Sequence, residues 1–342
     1  MPVVPVAAVS RSLSETLILL GSEVPVSLGD FAEEYRALTC SAALLPMPWE
    51  VCLEVRGRDA GSFLQNLFTQ DVLDLHPGDS VAAALATRKG HLQADLRIVC
   101  QNGVFRIRLQ KRLLENFLVT LDRYRITEDV EWRIEPDPQV CLLLAGPEAA
   151  SLWQSLESFP TVRFMPVPEI SPHDIFLTLP ESDLPEFQKV LQRCASPAVP
   201  TIGWRAFNVA RIETGRAWFG LDANEERLVP EPDFADRINY EKGCYLGQET
   251  LARLHYRGKL NWQLVPLGFD PSEDGAVDAK PEAELRCGDD RVGWLTSIEV
   301  TPAGRGIALG YLHRKYRESG GALSLPSGLP VSSRSTLTCR VD

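Results

Sequence analysis

From Val51 to Arg56, apolar Val51, Leu53 and Val55 alternate with other residues, the period-two pattern of a half-buried strand. The next stretch changes period: Ala60, Phe63, Leu64 and Leu67 fall on one face of a helix over 58–67. Val81 to Thr87 and Leu92 to Cys100 read as two strands joined by the tight turn Arg88 to Gly90, a hairpin with RKG at its tip. Phe105 to Leu109 alternates again, and Leu113, Leu114, Phe117, Leu118 and Leu121 place a helix over 113–124. Strands at 140–144 and 175–179 and helices at 147–157 and 184–194 continue the series, and an amphipathic helix over 30–38 precedes it. Strands and helices that interleave through short hairpins predict α+β layers rather than a doubly wound parallel sheet.

The Pro-rich run Ala195 to Pro200 marks a boundary before a short helix within 202–214, where Ala206, Val209, Ala210 and Ile212 are apolar. After Lys259 the texture changes. Residues 264–269, 283–287, 291–297 and 307–312 are short strand candidates separated by Gly, Pro and Asp, which predicts a small β-barrel or sandwich. At the other end there is no basic start, Pro2 and Pro5 interrupt the chain, and the apolar run Leu17 to Leu20 is too short to span a bilayer. A signal peptide and an anchor are therefore not expected. The predicted organisation is a loosely ordered extension over 1–26, two α+β lobes over 27–263 and a C-terminal β-barrel domain over 264–342.

The formal charge of -11 over 342 residues argues against a generic nucleic-acid or membrane-surface protein, but leaves room for a local basic pocket. The eight cysteines are scattered singly with no CxxC pair, which speaks against structural zinc and a disulfide framework and for a reducing, cytoplasmic compartment. The five histidines have no metal-ligand spacing, so no metal site is expected.

The chemistry concentrates in Lys242 to Glu249, KGCYLGQE. Gly243 and Gly247 bracket Cys244 and Tyr245, and a helix of about two turns follows, with Leu251 and Leu254 three apart and Gly258 as its stop. Unpaired amides at a helix start favour a thiolate just ahead of it, and Lys242 and Arg253 add positive charge. The competing reading makes Cys244 a small buried packing residue. Its wrapping of Gly, Lys, Tyr, Gln and Glu is unlike a core position, which favours the reactive thiol.

KGCYLGQE resembles the signature of the YgfZ-type folate-binding proteins, relatives of a mitochondrial iron–sulfur assembly factor within the glycine-cleavage T-protein superfamily. The resemblance extends in collinear order through VRGRDAGSFLQNLFTQDV, TRKGHLQADLRI, ARIETGRAWFGLD, ARLHYRG and GWLTSIEVTPAGRGIALGYL, and so covers the chain from about Phe31 onward. It implies a three-lobed ring of two α+β units and a C-terminal barrel, with tetrahydrofolate over a central opening.

On that resemblance Glu213 matches the glutamate that grips the pterin, an acceptor suited to adjacent ring N–H and amino donors. Tyr245, with Trp218 and Phe219, supplies walls for flat rings, Lys242 and Gln248 complete the cofactor contacts, and Arg257 and Lys259 engage the carboxylates of the glutamate tail. T-proteins carry Asp, Phe, any residue, Gly, Arg, Glu where this chain has Cys244 to Glu249. They also carry paired aspartates on the hairpin where this chain has Ala94 and Asp95. Cys244 and Asp95 are therefore the candidate catalytic groups. The function implied is a cytoplasmic tetrahydrofolate-binding protein that supports assembly or repair of iron–sulfur clusters in client enzymes, without nucleic-acid or membrane partners. The alternatives are a folate-dependent aminomethyltransferase using Asp95 and a non-catalytic folate-gated binding module.

Overall fold

The computed structural model describes residues 15–76, 78–134, 139–156, 159, 161–271, 280–319 and 322–333. The described residues open with a hairpin, β1 (Thr16–Leu19) and β2 (Ser22–Pro25), whose Leu19 and Val24 are buried in one hydrophobic core with Trp49 and Phe207. This corrects the expectation of a loose extension up to residue 26: the apolar residues there are anchored. Residues 1–14 lie outside the described ones.

Helix α1 (Phe31–Cys40) is capped by Asp30, whose carboxylate accepts from the Glu33 amide at 3.0 Å. Then follow β3 (Ala43–Pro46), β4 (Glu50–Arg56), α2 (Ala60–Leu67), β5 (Ser80–Ala86), β6 (Leu92–Gln101), β7 (Val104–Gln110), α3 (Leu114–Tyr124) and β8 (Glu131–Ile134). The second run is β9 (Gln139–Ala145), α4 (Ala149–Leu156), β10 (Arg163–Pro166), β11 (Ile175–Pro180), α5 (Leu184–Cys194) and α6 (Trp204–Glu213). The last comprises α7 (Gln248–Arg257), β12 (Trp262–Phe269), β13 (Glu284–Cys287), β14 (Asp290–Val300), β15 (Gly306–His313), α8 (Arg314–Ser319), β16 (Leu323–Ser324) and β17 (Pro330–Ser333).

Three sheets form three lobes. The first has order β5-β6-β7-β4-β8, the second β10-β11-β9-β3, and β12-β15-β14-β13-β16-β17 closes into a barrel. The α+β fold with a C-terminal barrel is as the sequence pattern and the resemblance led one to expect. In β4 and β7 the alternation sets the register, pairing Leu53 with Ile107 and Val55 with Phe105 on the face that α2 and α3 cover. The opposite face of the same sheet carries Arg97 directly across from Arg108, and Val99 across from Arg106. Like charges facing each other across strands are destabilising unless something neutralises them.

Helix α6 is the axle of the molecule. Ala206, Phe207 and Ala210 pack into one core while Val209 and Ile212 pack into another, so it is buried nearly all round. Its Arg211, fully buried, pairs with Asp222 at 2.6 Å and donates to Ser297 of the barrel strand β14 at 2.7 Å.

Candidate functional site

The KGCYLGQE loop is clamped against the first lobe at both of its ends. Gly247 has φ +87°, and a Cβ there would stand 2.5 Å from the Thr87 carbonyl oxygen at the base of the RKG turn. Gly90 in that turn has φ +79°, and a Cβ there would press on Leu251 at 3.1 Å. Only glycine meets both the left-handed backbone and the close approach, so hairpin tip and motif interlock. The Leu246 amide also donates to the Asn66 carbonyl at 3.1 Å, fastening the loop to α2.

Lys242 does not do what its neighbourhood in sequence suggests. Its ammonium donates to the carbonyls of Gln65, Phe68 and Gln70 at 2.7, 2.8 and 2.8 Å. All three protons are taken by the C-terminal end of α2, where a cation satisfies orphan carbonyls and meets the negative end of the macrodipole. Burial pulls its pKa down to about 8, with the charge of Asp71 opposing. The expectation that Lys242 touches folate or activates the thiol is corrected: it is the rivet of the loop. Gln248 is also turned inward, its amide reaching the Lys242 carbonyl at 3.5 Å.

Cys244 stands at the crest of this loop, exposed, ahead of the Gly247 N-cap of α7. It lies on a cleft of about 480 Å³ whose walls include Phe63 and Asn66 of α2, Arg88 of the hairpin tip, Tyr124 of α3 and Tyr245. Tyr245 is buried, burial pushes its phenol up to about 12, and its hydroxyl has no partner among the described residues. The wall carboxylates are already engaged: Asp59 with Arg58 and the Asp129 amide, Glu128 with the Ile126 and Thr127 amides. Among the described wall residues, Arg88 is left as the cation of the cleft.

Asp95 belongs to a different place. On β6 it is held at 3.2 Å by Arg97 and at 3.2 Å by Arg237. Arg97 and Arg108 both reach Glu169, at 3.3 and 3.0 Å, and Arg108 also pairs with Glu50 at 3.2 Å. Glu169 thus neutralises the facing arginines of β6 and β7. Burial pushes its carboxyl upward, but the charges of Arg97 and Arg108 outweigh that and hold it at about 2. Burial dominates at Glu50, whose pKa is raised. The void these groups line measures about 20 Å³, room for a water and not for a ring. It shares no wall residue with the Cys244 cleft.

Glu213 closes α6 and is one-tenth exposed; its carboxylate accepts from the Tyr35 hydroxyl and faces Arg305 at 3.6 Å. It therefore ties α1, α6 and the barrel together. Trp218 and Phe219 are core residues, Trp218 edge-on to Trp204 and Phe207. Arg257 is exposed at the end of α7 and lines neither cavity. Sequence reasoning missed Arg88, Arg237 and Glu169 as site-shaping groups; RKG at the tip of a hairpin was the available signal for the first. Among the described residues no cluster of three or more His, Cys, Asp or Glu is placed to hold a metal, and no helix is long and apolar enough to cross a membrane.

Known proteins share this architecture. Residues 23–175 match the GCVT N-terminal domain. The chain is 27% identical over 320 residues to an aminomethyltransferase of Rubrobacter xylanophilus, covering 88% of this chain and 84% of that protein. It is 26% identical over 253 residues to the tRNA-modifying protein YgfZ of Yersinia pestis, covering 67% and 72%. The crystal structure of glycine cleavage system aminomethyltransferase T from Bartonella henselae superposes with a TM-score of 0.82, at 17% identity over 94% of this chain and 93% of that one. Sheet order, barrel and these matches define the class, a glycine-cleavage T-protein fold. Within it the chain is similar both to aminomethyltransferases and to YgfZ-type proteins.

Proposed function

We propose that this protein binds tetrahydrofolate and supports the assembly or repair of iron–sulfur clusters in client enzymes, with Cys244 as its working thiol. The observation that carries the reading is the exposed Cys244 sulfur at a roomy cleft, on a loop clamped by Lys242, Gly247 and Gly90. A thiol presented in this way serves transfer or transient contact with a partner, since nothing in the fold needs it for packing. Cells lacking the protein should lose iron–sulfur enzyme activity, regain it with the wild type and fail to regain it with Cys244→Ser. Full rescue by the serine variant would remove the thiol from the account. Clients that modify tRNA would reconcile this reading with the name of the Yersinia relative.

In the same reading, residues 27–263 are the folate-binding region and 264–342 the barrel domain, and Glu213 is the pterin acceptor. Its carboxylate is pre-positioned by Tyr35 and Arg305 at the junction of α1, α6 and the barrel. Glu213→Ala should weaken tetrahydrofolate binding by about 1.5–3 kcal/mol in titration calorimetry, the range for a hydrogen bond to a charged group. Unchanged affinity would place the pterin elsewhere.

Aminomethyl transfer is the second reading, favoured by identity with the Rubrobacter enzyme over most of the chain. It needs a carboxylate with a lone pair free to manage a proton at folate. Asp95 is 18% exposed but held by two guanidiniums, a setting suited to fixed charge rather than proton exchange. The reaction therefore stands behind the thiol-based role.

A further inference from the structure

We propose that the outer face of α7 and the adjoining hairpin tip form a docking surface for an acidic segment of a partner protein, delivering that segment to Cys244. The chain as a whole carries a formal charge of -11, yet Arg88, Lys89, Arg253, Arg257 and Lys259 are all exposed here. None of the five forms an ion pair with a described residue, whereas the arginines of the sheet interior are tied to carboxylates. They outnumber exposed Glu241 and Glu249 together with the cleft-wall carboxylates Asp59 and Glu128, which are already engaged by Arg58 and by the Ile126 and Thr127 amides. The hairpin tip and the helix are one surface because Gly90 lies against Thr250 and Leu251.

Helix α7 buries only Leu251 fully, and its Arg253, His255, Tyr256 and Arg257 are exposed. Beside the cations sits an aromatic group that the fold leaves open. Tyr256 is 65% exposed, and it packs edge-on to Tyr240 and His255, whose rings stack at 3.8 Å. Arg and Tyr together, on a rigid element, are the residues that anchor protein interfaces. The surface is continuous with the Cys244 cleft, since Arg88 belongs to both and Cys244 lies just ahead of α7.

A polypeptide suits this surface better than a nucleic acid. Nucleic-acid binding rests on a track of about 6–10 phosphate contacts, and the remainder of an acidic chain repels a long polyanion. A short acidic segment with an apolar residue needs only a compact patch. The inference shares Cys244 with the reading above but requires neither folate nor a cluster, so its test uses neither.

Two short peptides, one rich in Asp, Glu and Phe and the other with Asn and Gln in place of the acids, each carry an N-terminal iodoacetyl group and react with the full chain. The Cys244 sulfur displaces iodide to form a thioether, the thiol proton passing to solvent, and mass spectrometry follows the product. The acidic peptide should label Cys244 at least about tenfold faster than the neutral one, with a rate that saturates in peptide and a ratio that falls with salt. In the double variant Arg253→Glu, Lys259→Glu the ratio should drop to about one or below. Because the ratio compares two reagents on the same thiol, a change in the thiol's own reactivity cancels. Equal rates in the wild type, a rate linear in acidic peptide, or an unchanged ratio in the double variant would overturn the proposal. So would stronger suppression of labelling by a single-stranded RNA oligonucleotide than by an unreactive acidic peptide.

Discussion

The Cys244 cleft and the Asp95 void sit in the same chain and are built on opposite principles. Around Asp95 the described charges are answered: Arg97 and Arg108 meet Glu169, Arg237 meets Asp95 and Asp236, and the remaining space of about 20 Å³ has room only for a water. Around Cys244 the backbone is fastened as firmly, but the side chain at the crest and Arg88 beside it are left open. A saturated ionic cluster holds lobes together; a fixed loop with an unengaged thiol is the arrangement that the proposed role of Cys244 requires. Chemistry is expected where the geometry is rigid and the reactive atom is free, and in this molecule that atom is sulfur.

The largest expected effect breaks the ionic side of this contrast. Glu169→Ala leaves Arg97 and Arg108 facing each other in the interior and should destabilise the fold by about 3–5 kcal/mol in denaturant titrations. A loss below about 1 kcal/mol would mean that the cluster is not what joins the two lobes. The same residue sets a pH dependence. Its folded pKa, about 2, lies below the ordinary 4.5, so its stabilisation is present above pH 4.5 and is lost as pH falls toward 2. The acid limb of a melting-temperature profile should flatten in Glu169→Gln relative to wild type. Parallel acid limbs would contradict the ion pairs.

Next in size is Lys242→Met, which leaves the three carbonyls at the end of α2 without a donor. A cost of about 2–3 kcal/mol is expected, with the motif loop loosened and Cys244 still accessible to reagents. If stability held and only ligand binding suffered, Lys242 would return to the site from which the structure removes it. Smallest is Cys244→Ser, expected to change stability by less than about 0.5 kcal/mol because the side chain is exposed. A pronounced drop in melting temperature would restore the packing role.

The long periodic elements were legible in the sequence. Phe117 and Leu121 of α3 and the β5–β6 hairpin lie where period and turn chemistry put them, and α7 ends at Gly258 as expected. Strands β3, β8 and β10 were not, since four residues carry too little period to separate from loop. Lys242 was misread because adjacency along the chain says nothing about side-chain direction in a loop. Cys244 faces out while Lys242, two residues earlier, reaches inward to α2. Glu169 was invisible for a related reason: it lies 72 residues from Arg97, and only the packing of two lobes brings them together. Asp95 was seen, but its arginine partners were not, so a carboxylate that looked available is held.

The proposed role depends most on Cys244 being an open and reactive thiol of the native chain. Competitive alkylation of the folded protein with a small iodoacetamide, each cysteine followed by mass spectrometry, measures this directly. Cys40 and Cys194 are also exposed, but they stand at the C-terminal ends of α1 and α5, whereas Cys244 lies ahead of a helix start and beside Arg88. Cys244 should therefore be labelled first, ahead of both and far ahead of buried Cys52 and Cys141. Labelling of Cys244 that trails Cys40 or Cys194 would contradict the claim that this loop exists to present a reactive sulfur.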